Sequence, residues 1–144
     1  ISMAKLTRST VIDAPTNKVF AYVNEPSTMA DWLPSMVEVR NVRGEGEGQQ
    51  YDWTYKMVGM LLRGQSVVVE HVPYSHAVHQ SIGMINSTWT FELEPSEEGT
   101  HLTLDIDFVV PVPVLGKLAE NVLMKRAGRN IECALENAKD VLEH

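Results

Sequence analysis

Five histidines, four tyrosines, one cysteine and scattered acids are the side chains of this 144-residue chain with chemistry to offer. His76 and His79 stand three apart in an extended stretch, so on a strand they point to opposite faces and cannot share a metal ion. Val78, Ile82 and Met84 share parity with His76, which turns His76 inward and His79 outward. Ala77 and Ser81 support the reverse. An inward histidine could act as a general base near neutral pH; the plain alternative is a hydrogen-bonded or half-exposed strand residue. Tyr51, Tyr55 and Arg63 are the other groups that could move a proton or steady an enolate beside it. Asp105 and Asp107 resemble a carboxylate pair, but their parity opposes Leu104 and Ile106 and sets them toward solvent. No HExxH, CxxC or comparable ligand spacing occurs, so neither a metal nor a cofactor is expected. Ser87 lacks a GxSxG setting and Cys133 has no base beside it in sequence, which removes hydrolase chemistry. The Gly44-Glu45-Gly46-Glu47-Gly48 run precedes a strand and carries acids that would repel phosphate, so it is no nucleotide loop.

Composition narrows the partners. A formal charge of −7 argues against nucleic acid and against a basic patch docking on anionic membrane. With 44% hydrophobic residues the chain can build one genuine core. Cys133 is the single cysteine, so no internal disulfide can form, which fits a reducing, cytoplasmic setting. The longest apolar stretch, Phe108 to Leu115, is too short to span a bilayer and carries prolines, so no stable membrane insertion is expected. Residues 3–142 read as one domain. Ile1-Ser2 reads as a cloning remnant, and Leu142-Glu143-His144 as the start of a purification tag.

The elements that must position these groups follow an unusual order. An extended segment ends at Ile12, and Ala14-Pro15 opens a short helix through Phe20 and Tyr22. A second short helix starts at Pro26-Ser27-Thr28 and closes at Trp32-Leu33, stopped by Pro34. From Met36 to Val110 the pattern is strands and turns. Tyr51, Trp53, Tyr55 and Met57 alternate with Asp52, Thr54 and Lys56; Trp89, Phe91 and Leu93 alternate with Thr88, Thr90 and Glu92. Each such strand has one wet and one apolar face, as in an antiparallel sheet covered on one side. Beyond Pro111-Val112-Pro113, residues from Leu115 to about Val141 read as one long helix. At about 100° per residue, Ala119, Val122, Leu123, Ala127, Ile131, Ala134, Ala138 and Val141 fall on one broad side. Gly128 sits outside that stripe and costs roughly 1 kcal/mol of helix propensity.

A sheet bent round such a helix predicts a hollow. Tyr51, Trp53, Tyr55, Met57, Trp89, Phe91 and Phe108 would line it with apolar area and a few polar tips. Leu123 and Ala127 would face it from the helix, and Glu120, near the helix N-terminus, could stand at its mouth. Trp32 could gate that mouth with Phe20 and Tyr22 nearby, or simply plug one end of the sheet. Arg126 and Asn130 border the helical stripe and could direct polar groups inward or snorkel.

These residues carry a resemblance over nearly the whole chain. Ile12-Asp13-Ala14-Pro15 into Val19-Phe20, then Trp32-Leu33-Pro34, Gly99-Thr100 and Pro113 with Leu115-Gly116 resemble, in order, landmarks of the START-like superfamily. That superfamily includes polyketide cyclases/dehydrases and the birch-pollen-allergen proteins. The resemblance implies an α+β helix-grip fold: a curved antiparallel sheet of about seven strands, two short helices after the first strand, and a long C-terminal helix. It also implies a cavity for a small hydrophobic molecule such as a lipid, polyketide or quinone. Binding or carrying such a molecule is the first function expected. A polyketide cyclase or dehydratase is the second, and a coenzyme Q-binding or ribosome-associated-toxin-like interaction protein the third.

Overall fold

The computed structural model describes residues 2–57, 59–110 and 117–144, with side chains for 3–57, 59–109 and 121–144. Strand β1 (Ser2–Ile12) leads into helix α1 (Thr16–Val23), a single 3-10 turn (Pro26–Thr28) and helix α2 (Met29–Trp32). Six strands follow: β2 (Met36–Arg43), β3 (Gln50–Met57), β4 (Met60–Val72), β5 (His76–Gly83), β6 (Ser87–Ser96) and β7 (Gly99–Val110). Helix α3 (Lys117–Glu143) ends the chain. All seven strands form one curved antiparallel sheet in the order β1-β7-β6-β5-β4-β3-β2. This is the expected helix-grip α+β architecture.

Local chemistry explains the short helices. Pro15 precedes the first turn of α1, where a missing N–H costs nothing, and Val19, Phe20 and Val23 bury one face. Asn24 ends α1, its backbone and side-chain N–H groups both donating to the Phe20 carbonyl. Glu25 then caps the 3-10 turn through Ser27, and α2 buries Met29 and Trp32. Trp32 is fully buried, edge-on to Phe91 at 6.4 Å. Phe20 meets His71 edge-on at 5.2 Å.

Cross-strand register fixes what faces the hollow. Tyr51, Trp53 and Tyr55 of β3 stand opposite Ser66, Gly64 and Leu62 of β4. Ser66 stands opposite Ser81 and Val68 opposite His79 on β5, and His79 in turn opposite Trp89 on β6. A bulge between Val68 and Glu70 then resets parity, which turns His71 toward α1. Gly64 makes room for Trp53: a Cβ there would lie 2.4 Å from Trp53 Cζ2 and 2.6 Å from the Ile82 carbonyl. The carbonyl cannot retreat without breaking the sheet. Gly64→Ala is therefore expected to lower unfolding stability by about 1–3 kcal/mol in urea titration.

Helix α3 lies along β1 and against α2, burying Leu123, Ile131, Ala134, Leu135 and Ala138. The buried stripe is rotated from the expected one: Val122 and Val141 are about half exposed, and Leu135 replaces them. Gly128 belongs to this buried side, contrary to the expectation, because Arg8 of β1 crosses it. A Cβ at 128 would come within 2.7 Å of the Arg8 guanidinium, which reaches on to Glu132 at 3.1 Å. Farther along, Lys139 Nζ donates to the Val11 carbonyl and the Glu143 carboxylate accepts from the Asp13 N–H. The Pro111-Val112-Pro113 bend, the Leu115-Gly116 landmark and the side chains of Ala119 and Glu120 lie outside the described residues.

Candidate functional site

Between the concave sheet face and α3 lies a hollow that offers about 70 Å³ to the centres of water-sized molecules. That is small beside the roughly 300–1,000 Å³ of ordinary ligand pockets, a narrow slot rather than a wide chamber. Met29, Met36 and Met57 line it, and methionine side chains repack readily around an irregular guest. Tyr51, Trp53, Tyr55, Trp89, Phe91, Ile106 and Phe108 form its sheet wall, with Ala127 and Ile131 from α3. Ser66, His79, Ser81 and Ser87 are the other polar members. No Asp, Glu, Lys or Arg occurs among the described lining residues.

Its polar groups are organised. Tyr51 Oη lies 2.8 Å from His79 Nδ1, and His79 Nε2 lies 2.9 Å from Asn24 Oδ1. Ser66 and Ser81 hydroxyls meet at 2.5 Å beside them. Asn130 of α3 donates to Tyr55 Oη at 3.3 Å and to the Ser35 hydroxyl, pinning the helix to the cavity wall. Burial pushes His79 down to about 4, with His71 nearby adding to the effect, so the ring is neutral at pH 7. Burial likewise holds the Tyr51 phenol well above its ordinary value, with Ser66 opposing more weakly. Tyr55 is raised for the same reason, offset in part by Ser35 and Asn130. The indole N–H of Trp53 is buried with no hydrogen-bond partner among the described residues.

A family model described as polyketide cyclase/dehydrase and lipid transport matches residues 3–143. The chain belongs to that family. No curated protein sequence matches it. Among solved structures, a protein of Thermus thermophilus superposes with a TM-score of 0.84 at 19% identity, covering 95% of each chain. The Zhui aromatase/cyclase of Streptomyces sp. R1128 superposes at 0.82 and 17% identity, over 99% of this chain and 94% of that one. The di-domain ARO/CYC StfQ of the steffimycin biosynthetic pathway matches at 0.79 and 17% identity, over 98% of this chain but 51% of its own. At such identities these likenesses establish the fold.

Within this member of the polyketide cyclase/dehydrase family, the expected site residues divide. Tyr51, Trp53, Tyr55, Met57, Trp89, Phe91, Phe108 and Ala127 line the hollow. Trp32 and Leu123 are buried in the core outside that wall. The Glu120 side chain lies outside the described residues. His79 faces inward and His76 outward, the reverse of the orientation that Val78, Ile82 and Met84 suggested. Ile82 and Met84 prove more than half exposed, so their parity marks the outer face. His76 sits between Glu70, at 3.1 Å, and Glu92 on that face. Hydrogen bonding to Glu70 leads the causes that raise its pKa. Arg63 pairs across the sheet with Thr54, on the face opposite Tyr55, and is exposed. Asp105 also faces outward, accepting from the Thr7 hydroxyl at 2.5 Å. Arg126 is exposed, whereas Asn130 does turn a polar group inward. Asn24 was missed: an Asn closing a short helix reads as a cap, and only the fold brings it to His79.

Proposed function

We propose that this protein binds and carries a small, uncharged, mainly apolar molecule in the hollow between sheet and α3. The observation that carries the reading is a lining of aromatic, aliphatic and methionine side chains with only neutral polar groups among its described members. An ion entering such a wall would lose its hydration without a counter-charge, a cost far above that of a neutral guest. Once Met29, Met36 and Met57 repack to admit a guest, enclosing about 300 Å² of its apolar surface would contribute about 7 kcal/mol before binding entropy is subtracted. Lipids, polyketides and quinones in un-ionised form all belong to this class. A cytoplasmic setting belongs to the same proposal and is supported by the single cysteine, which fits a reducing compartment; no described helix is long and apolar enough to cross a membrane.

A cyclase or dehydratase reading draws on the Tyr51–His79 contact and on the aromatase/cyclase relatives. It requires His79 to lift a proton from the phenol. A lowered histidine facing a raised tyrosine opposes that transfer, and Arg63 is too far round the sheet to help. Binding is the better supported of the two.

The test is titration with N-phenyl-1-naphthylamine, a neutral dye that brightens in apolar surroundings, beside native mass spectrometry of freshly purified protein. Saturable binding at one site per chain is expected. Ala127→Trp, which fills the hollow from α3, should abolish it while the folded fraction stays the same. A dye response unchanged by that substitution would remove the cavity from the function.

A further inference from the structure

Asn24 sets the direction of a run of hydrogen bonds that ends in the cavity wall. Its amide nitrogen donates to the Phe20 carbonyl at 3.2 Å, which leaves Oδ1 to face His79 Nε2 at 2.9 Å. An amide oxygen only accepts, so Nε2 carries the ring hydrogen. In the neutral ring Nδ1 is then bare, and Tyr51 Oη, 2.8 Å away, donates to it. The phenol has one proton and has committed it away from the hollow. Ser66 side-chain hydrogen bonding to the Tyr51 phenol extends the run, and the Ser66 and Ser81 hydroxyls lie 2.5 Å apart. If Ser66 gives its proton to Ser81, the free acceptor stays on Tyr51 and the Ser81 hydrogen is free to turn into the hollow. If Ser66 instead gives to Tyr51, it draws on Ser81, and the acceptor end moves to the Ser81 oxygen. Every arrangement that respects Asn24 leaves lone pairs on this edge of the wall.

We infer that the cavity selects ligands bearing a hydroxyl group, phenols or alcohols, which donate a hydrogen bond to the Tyr51–Ser66–Ser81 edge. The inference rests on the binding role proposed above and narrows it by chemistry. A ligand hydroxyl completes a continuous run through Ser81, Ser66, Tyr51 and His79 to the Phe20 carbonyl, whereas a carbonyl or ether oxygen is met only when the serine hydroxyls turn away from Tyr51, which loses one hydrogen bond from the run. Burial keeps the histidine neutral and so preserves the direction at pH 7.

Three probes of nearly equal shape separate the possibilities by calorimetric titration: 4-ethylphenol, 4-ethylanisole and 4-ethyltoluene. The phenol and the ether both offer an oxygen to an N–H such as that of Trp53, but only the phenol donates. The phenol is expected to bind at least about tenfold more tightly than either analogue. In Tyr51→Phe combined with His79→Leu that margin should shrink to about twofold or less. Equal binding of phenol and ether by the native protein would overturn the inference while leaving the cavity in use. Failure of all three to bind would overturn the binding role and this inference with it. Imidazole 15N chemical shifts of the unliganded protein test the direction without any substitution. The neutral Nε2–H form of His79 is expected at pH 7; an Nδ1–H form or a charged ring would overturn the assignment.

Discussion

Acidification should cost this protein about 3 kcal/mol of folding stability through His79 alone. The ring falls from an ordinary 6.5 to about 4 in the folded chain. Between those values the unfolded chain binds a proton that the folded one refuses, so stability drops as pH falls across that window. Each pH unit within it is worth about 1.4 kcal/mol. His76 has the opposite sign. Its raised value gives stability that is present below 6.5 and is lost as pH rises through its folded value. Asp52 and Glu143 are held low, by Asn41 and by the Asp13 N–H respectively, and their contributions fade as pH falls through their folded values. The His79 effect is isolated by comparing native protein with His79→Gln, which cannot titrate, in urea denaturation at pH 7 and near pH 4. The gap between the two should change by about 3 kcal/mol in favour of the variant at the acid end. A constant gap would mean that His79 is not held neutral by burial.

Trp32→Ala is expected to cost about 3–5 kcal/mol, enough to unfold much of the protein at moderate temperature. The indole is wholly buried against Phe91, and its loss would leave a void between α2 and the sheet. Trp32→Phe should cost much less, because the indole N–H has no hydrogen-bond partner among the described residues to forfeit. The same pair of variants decides between plug and gate. A plug loses stability on truncation; a gate would keep stability and exchange its ligand faster. Melting temperatures with dye dissociation rates give both answers.

Much of this architecture was legible in the chain because one physical signal dominated. Alternation of Tyr51, Trp53, Tyr55 and Met57 with polar neighbours survives into the fold, since one side of β3 faces the core. Where both faces carry apolar residues, that signal vanishes. On β5 the outward Ile82 balances the inward Ala77, so only pairing with Ser66 and Trp89 reveals which way His79 points. The bulge after Val68 defeats a strict period of two on β4 in the same manner. Gly128 was misjudged because a helical wheel contains no Arg8; the burial comes from a strand more than a hundred residues away. The hydrogen bonds of the site were hidden for a similar reason. Asn24 caps α1, Tyr51 lies on β3 and His79 on β5, and the three share no motif.

Strand β1 occupies one edge of the sheet and, among the described residues, pairs only with β7, so Thr7 finds Asp105 across 98 positions of chain. During synthesis β1 has no partner until β7 has emerged, whereas the hairpins from β2 to β7 can close soon after each emerges. Topologies dominated by such distant contacts reach the native state in about milliseconds to seconds rather than microseconds. A message cut short anywhere before Gly99 would release a chain whose Ser2–Ile12 backbone and β6 edge both stay open to other chains. Shortened chains of this fold therefore carry more unpaired strand edge than those of a sheet whose spatial neighbours are also neighbours in sequence.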